Sequence, residues 1–206
     1  MPLNTPAEGR VVVTAYVDPV CPYAWVTSQW LRDVARARPL DLDFRTMSLA
    51  VLNQDPADPL ELTRGYESAW RPVRVAEAIA ATRGPEHRHR YFYEFGHRYH
   101  DLRERPRDTV LRDTLAALDA MTLYGAADDQ VWDEAVTASH HAALDGVGED
   151  VGTPIVRING TGIFGPVLTT VPDTARGAAI FDAVATLIAH PEFTELKRTR
   201  TTSSDE

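Results

Sequence analysis

The chain reads as an α/β fold of order β-α-β, helical insert, β-β-α. Three observations predict it. The run Val11-Val12-Val13-Thr14-Ala15-Tyr16-Val17 is β-branched and apolar on both faces, as a doubly covered central strand must be. The middle of the chain shows only helical spacing. Strand character returns afterwards at Pro154-Ile155-Val156-Arg157-Ile158, and Asn159-Gly160 behind it is a strong hairpin-turn signal.

Taken in order, Asp18-Pro19 ends the first strand. From Cys21 the spacing of Trp25, Ser28, Leu31 and Ala35 is helical and stops before Pro39. Leu40, Leu42 and Phe44 then alternate with Asp41, Asp43 and Arg45, a strand with one buried face. A β-α-β unit implies parallel strands and a right-handed crossover. In the insert, helices over 61–69 and 73–81 are expected to be split by Pro72. Phe92, Phe95, Tyr99 and Leu102 form one apolar stripe; Leu111, Leu115 and Leu118 form another, with Asp108 as N-cap. A helix over 128–144 is expected to bury Val131, Trp132, Ala135, Val136 and Ser139. Gly162-Ile163-Phe164-Gly165 is the returning strand, and a last helix over 175–189 turns Ala178, Phe181, Val184, Ala185 and Ile188 inward. The expected division is one α/β domain from residues 1–57 and 146–206, with 58–145 as an inserted helical domain.

With 206 residues the chain can bury a full core without staples. Its formal charge of −9 argues against nucleic acid or an anionic membrane surface as partner. No apolar run approaches the ~20 residues of a membrane span, and the polar start lacks a signal-peptide pattern, so a cytoplasmic location is expected. The single cysteine, Cys21, excludes an intramolecular disulfide and a multi-cysteine metal site.

That cysteine carries the chemistry. It follows a strand and opens a helix, where backbone N–H groups and the positive end of the helix dipole favour a thiolate nucleophile. Pro22 suits the first helical position, and Tyr23 is expected to turn its ring to substrate beside an exposed thiol. Thr153-Pro154 opens the third strand and leaves the Thr153 backbone available to a bound sulfur compound. Asn53 and Trp70 border the loop after the second strand and are placed in the cleft between sheet and bundle. The remaining polar candidates read as ordinary structure. His97 and His100 are three apart but lack a carboxylate in metal register, and His140-His141 diverge on a helix. His87 and His89 fall in an exposed turn, and Arg71 and Arg74 on solvated surface. No glycine-rich dinucleotide fingerprint is present.

Cys21-Pro22-Tyr23-Ala24 at a helix start, Val151-Gly152-Thr153-Pro154 before a hairpin, and the helical insert between them resemble the DsbA-like branch of the thioredoxin fold. Six blocks narrow the resemblance: 44–53, 69–75, 139–142, 147–154, 164–168 and 195–201 are similar to the actinobacterial mycothiol-dependent nitroreductases. The resemblance implies a thiol oxidoreductase with Cys21 as nucleophile and a cis Thr153–Pro154 bond beside it. It implies mycothiol as co-substrate, no tightly bound cofactor, and a low-molecular-weight thiol and a small molecule as partners, with room for a homodimer. The family commonly carries Cys-Pro-aromatic-Cys, and here the fourth position is Ala24. A resolving thiol is therefore missing, which points to a monothiol cycle. The alternatives are a kappa-type, glutathione-transferase-like transferase or isomerase, and a non-catalytic binding module.

Overall fold

The computed structural model describes residues 10–54 and 68–199. Its elements are β1 (Val11–Val17), α1 (Pro22–Ala37), β2 (Leu40–Thr46), the short α2 (Leu49–Leu52), α3 (Trp70–Arg83), α4 (Pro85–Gly96), α5 (Arg107–Ala117), α6 (Asp133–Leu144), β3 (Ile155–Ile158), β4 (Thr161–Phe164) and α7 (Thr174–Ile188). A π-helical turn, His97–Asp101, follows α4, and two 3₁₀ segments, Met121–Asp128 and Gln130–Trp132, precede α6.

The four strands lie in the order β2-β1-β3-β4. The parallel β1–β2 pair runs from Val11 opposite Leu40 to Val17 opposite Thr46. The antiparallel β3–β4 hairpin turns through Asn159 and Gly160, at φ 50° and 94°, the positive pair a tight hairpin needs. Val13, Ala15, Ile155 and Val156 are fully buried, consistent with β1 and β3 being inner strands. On one face α1 and α7 meet where Trp30 donates its indole N–H to the Gly177 carbonyl at 2.9 Å and packs on Phe181. The helical insertion covers the open edge of β2: the Phe44 carbonyl accepts from Arg88 Nε at 3.0 Å and the Thr46 carbonyl from the Ser139 hydroxyl at 2.7 Å.

Several expectations about the insertion need correction, and each has a physical reason. The expected helix 61–69 falls almost wholly outside the described residues. Pro72 does not split a helix; it sits in the first turn of α3, where a missing N–H costs nothing. Asp108 is not an N-cap: it lies in the first turn of α5 and accepts from Tyr124 Oη at 2.6 Å. Val131 is 69% exposed because a 3₁₀ segment precedes α6 and breaks the helical register. Leu102 is 55% exposed because the π-turn before it rotates the apolar stripe away from the core. His89 is no exposed turn residue: it lies in α4 and bonds Asp43 at 2.7 Å.

The largest correction is electrostatic. Arg71 and Arg74 are buried. Arg71 bridges Asp108, at 3.1 Å, and Asp128, and Arg74 forks onto both oxygens of Asp133 at 2.6 and 3.0 Å. Such paired arginines tie helices together where sequence alone suggests solvent contact.

Candidate active site

Cys21 is the N-cap of α1, with Pro22 in the first helical position. Its Sγ accepts the Ala24 N–H at 3.5 Å and donates to the Thr153 carbonyl at the same distance. The first contact favours the thiolate; the second holds the neutral thiol. Thr153–Pro154 is cis, and the Thr153 hydroxyl donates to the Tyr16 carbonyl at 3.1 Å, fixing the loop to the end of β1. The strand-to-helix junction and the loop before β3 thus meet at the sulfur although they are 132 residues apart in the chain. The expectation of an exposed thiol is corrected: Cys21 is only 5% exposed because Thr153 and the first turn of α1 pack around it.

The loop that leads to the thiol opens at Asp18, whose carbonyl accepts the Cys21 N–H at 3.1 Å and which sequence reasoning read as a strand terminator. It is buried, and its carboxylate spans two loops. One oxygen accepts the Val20 N–H at 2.9 Å and the other accepts the Leu49 N–H at 2.7 Å. Burial raises its pKa to about 6, against the lowering effect of those two amides and of Arg107. The Asp-Pro pair before the cysteine was the available signal; what it could not show was that the carboxylate turns inward.

The other side of the loop is held from the insertion. His100 Nε2 lies 2.9 Å from the Pro19 carbonyl, which can only accept, so Nε2 carries the proton. Burial lowers the His100 pKa to about 4, which keeps the ring neutral near pH 7. Trp25 stacks on His100 and donates its indole N–H to Asp101 at 2.8 Å. His97 pairs with Asp101 at 3.0 Å.

The remaining expected site residues sit as follows. Tyr23 is half-buried in the first turn of α1 and packs against the main core. Asn53 is exposed at the end of α2, where its amide donates to the Leu49 carbonyl at 2.9 Å, so it joins the site through the residue that Asp18 anchors. Trp70 is not brought to the sulfur: it is buried with Val73 and Val136 in a separate cluster against Ala50 and Val51 of α2. Among the described residues no group of three or more His, Cys, Asp or Glu is gathered to hold a metal.

Residues 20–198 match the family described as Rv2466c-like, mycothiol-dependent nitroreductase Rv2466c. The chain belongs to that family. Its members are oxidoreductases by description, and the single cysteine of this one occupies the thiol position just built. A curated relative, the uncharacterized protein Rv2286c of Mycobacterium tuberculosis, is 27% identical over 189 residues, covering 90% of this chain and 81% of that one. Among solved structures, the cytosolic disulfide reductase DsbM of Pseudomonas aeruginosa with GSH superposes with a TM-score of 0.55 at 14% identity, over 85% of this chain and all of that one. The thiol-disulfide exchange protein alpha-DsbA2 of Wolbachia pipientis gives 0.54 at 15% identity, over 86% of this chain and 84% of that one. These likenesses establish the fold: a DsbA-like thioredoxin fold with a helical insertion. Among the described residues no helix is long and apolar enough to cross a membrane.

Proposed function

We propose that this family member is a cytoplasmic thiol oxidoreductase that uses mycothiol through Cys21 alone. The observation that carries the reading is the meeting of a helix-capping sulfur with the Thr153 carbonyl beside the cis Pro154. Among the described residues nothing accepts the Thr153 N–H, so it is the donor offered to the backbone of a bound thiol compound.

The cycle balances with one protein sulfur. The Cys21 thiolate attacks the mycothiol sulfur of a mixed disulfide, forming Cys21–S–S–mycothiol and releasing the substrate as a thiolate. The thiolate of a second mycothiol attacks the mycothiol sulfur of that adduct, forming mycothiol disulfide and restoring Cys21. The net result is one substrate thiol gained and one mycothiol consumed into its disulfide. Reduction of a nitro compound to the nitroso level would take the same two electrons from two mycothiols, giving one mycothiol disulfide and one water. Pro22 and Tyr23 shape the helix start around the leaving thiol. Asn53, with Trp70 packed beneath its helix, is the site's reach toward substrate. In this reading residues 1–57 with 146–206 form the thiol domain, and the inserted domain 58–145 covers it.

Ala24 is buried one turn into α1 and offers no second sulfur. Ala24→Cys should therefore add an internal resolving step and weaken the dependence of turnover on free mycothiol. Cys21→Ser should abolish turnover; full activity in that variant would mean that the protein activates a bound cofactor thiolate, as a kappa-type transferase would. An inert Cys21 with no turnover with mycothiol or glutathione would instead indicate a binding module.

A further inference from the structure

The π-turn His97–Asp101 is where the insertion reaches both sides of the nucleophile. Its wider ring is closed by the Leu102 N–H on the His97 carbonyl at 3.0 Å, five residues back. A π-turn adds a residue to the helix and re-aims the side chains behind it, and such turns gather at functional sites. Here the re-aimed groups converge on the Cys21 loop. His100 holds the Pro19 carbonyl, two residues before the sulfur. Asp101 holds the indole N–H of Trp25, four residues after it. Trp25 in turn closes the first turn of α1, its own N–H donating to the Cys21 carbonyl at 3.0 Å.

A second observation shows that this joint is built rather than incidental. The Trp25 ring lies directly on the backbone of Gly96, the residue before the π-turn. A Cβ at Gly96 would sit 2.2 Å from Trp25 Cε3, so only glycine admits the indole there. The Gly96 torsions are ordinary right-handed helix, so the glycine serves the contact and not the backbone turn.

We propose that the π-turn is a positioning device for the nucleophile, with His100 as the positioning residue: it fixes the Pro19 peptide and, with Asp101 through Trp25, the first turn of α1, so that the Ala24 N–H stays aimed at the Cys21 sulfur. The inference rests on reading Cys21 as the working thiolate. His100 acts through the Pro19 peptide it holds. Without it the loop can drift from the helix start, and the thiolate loses stabilisation from the aligned amides.

The test is the pH dependence of Cys21 alkylation by iodoacetamide, measured on the full chain with thermal unfolding recorded alongside. The wild-type midpoint is expected below the ~8.5 of an ordinary thiol. His100→Phe keeps a ring against Trp25 but deletes the hydrogen bond. It should raise the midpoint by about half a pH unit or more, which is roughly threefold slower alkylation at neutral pH. His100→Gln, whose amide nitrogen overlays Nε2, should restore it. Trp25→Phe, which loses the Asp101 bond together with the indole's contact on Gly96, should shift the midpoint the same way and serves if the His100→Phe variant does not fold. A low wild-type midpoint left unmoved by His100→Phe, or by Trp25→Phe where that variant must serve, overturns the positioning role while sparing the nucleophile. Failure of His100→Gln to restore the midpoint overturns the hydrogen bond as its means. A wild-type midpoint at or above that of an ordinary thiol removes the nucleophile reading and this inference with it.

Discussion

The sheet half and the helical insertion bury polar groups for different purposes. Among the described residues of the sheet half the only buried charged side chain is Asp18, at the start of the thiol loop. The insertion buries Arg71, Arg74, Glu77, Arg88 and Asp108, spread through its helix contacts. Around β1 and β3, pairing of the strands satisfies the backbone and leaves an apolar interior of Val13, Ala15, Val17 and Val156. In the insertion, short helices and 3₁₀ segments pack together, and buried arginines bridge them to aspartates on neighbouring segments. One half thus uses a buried charge to build a site, and the other uses buried charges as mortar.

Removing one piece of that mortar should have the largest effect on stability. Arg71→Ala leaves the Asp108 carboxylate buried with less compensation and should cost about 3–5 kcal/mol in denaturant unfolding. A cost no greater than that of a sheet-core truncation would show that the ion pairs do not set the insertion apart.

The two groups flanking the thiol loop should oppose each other in acid. Asp18 has its pKa raised from 3.8 to about 6, so its ionisation penalises the fold above pH 6, and acidification from 6 toward 4 relieves that penalty. His100 has its pKa lowered from 6.5 to about 4, so the fold is most favoured above pH 6.5 and loses that favour as pH falls toward 4. Each effect is on the order of 3 kcal/mol. Burial of His140 lowers its pKa too and adds to the acid loss. Asp18→Asn should therefore steepen the loss of stability between pH 6 and 4, and His100→Gln should flatten or reverse it. Equal pH profiles for the two variants would contradict the assigned burial of both groups.

Smaller effects complete the comparison. Val13→Ala in the centre of β1 should cost about 2 kcal/mol through lost burial and a small cavity. Arg38→Ala, which removes a half-exposed fork onto Asp182 at the rim of α1 and α7, should lower the melting temperature only slightly, clearly less than Val13→Ala does. A clear destabilisation there would mean that surface pairs also hold the sheet half together.

The same contrast decides how much was legible in the sequence. β1 was readable to the residue because a central strand must be apolar on both faces. The parallel β2 followed from the β-α-β order and the hairpin from Asn159-Gly160, whereas Cys21 beside Thr153 was legible only through the family resemblance. The insertion was readable as helical but not as packed. An arginine on a helix reads as solvated until its aspartate partner, more than 35 residues away for Arg71–Asp108, is brought beside it. His100 was equally hidden, since its partner is a carbonyl 81 residues distant and its aim depends on a π-turn that periodicity does not announce.

The central claim is that one sulfur carries the whole cycle, and intact mass spectrometry after exposure to mycothiol disulfide tests it most directly. The account predicts a single mycothiol adduct, mapped to Cys21, that free mycothiol removes without any internal disulfide forming. A protein that stays unmodified while still turning over mycothiol, or an adduct that free mycothiol cannot release, would contradict it.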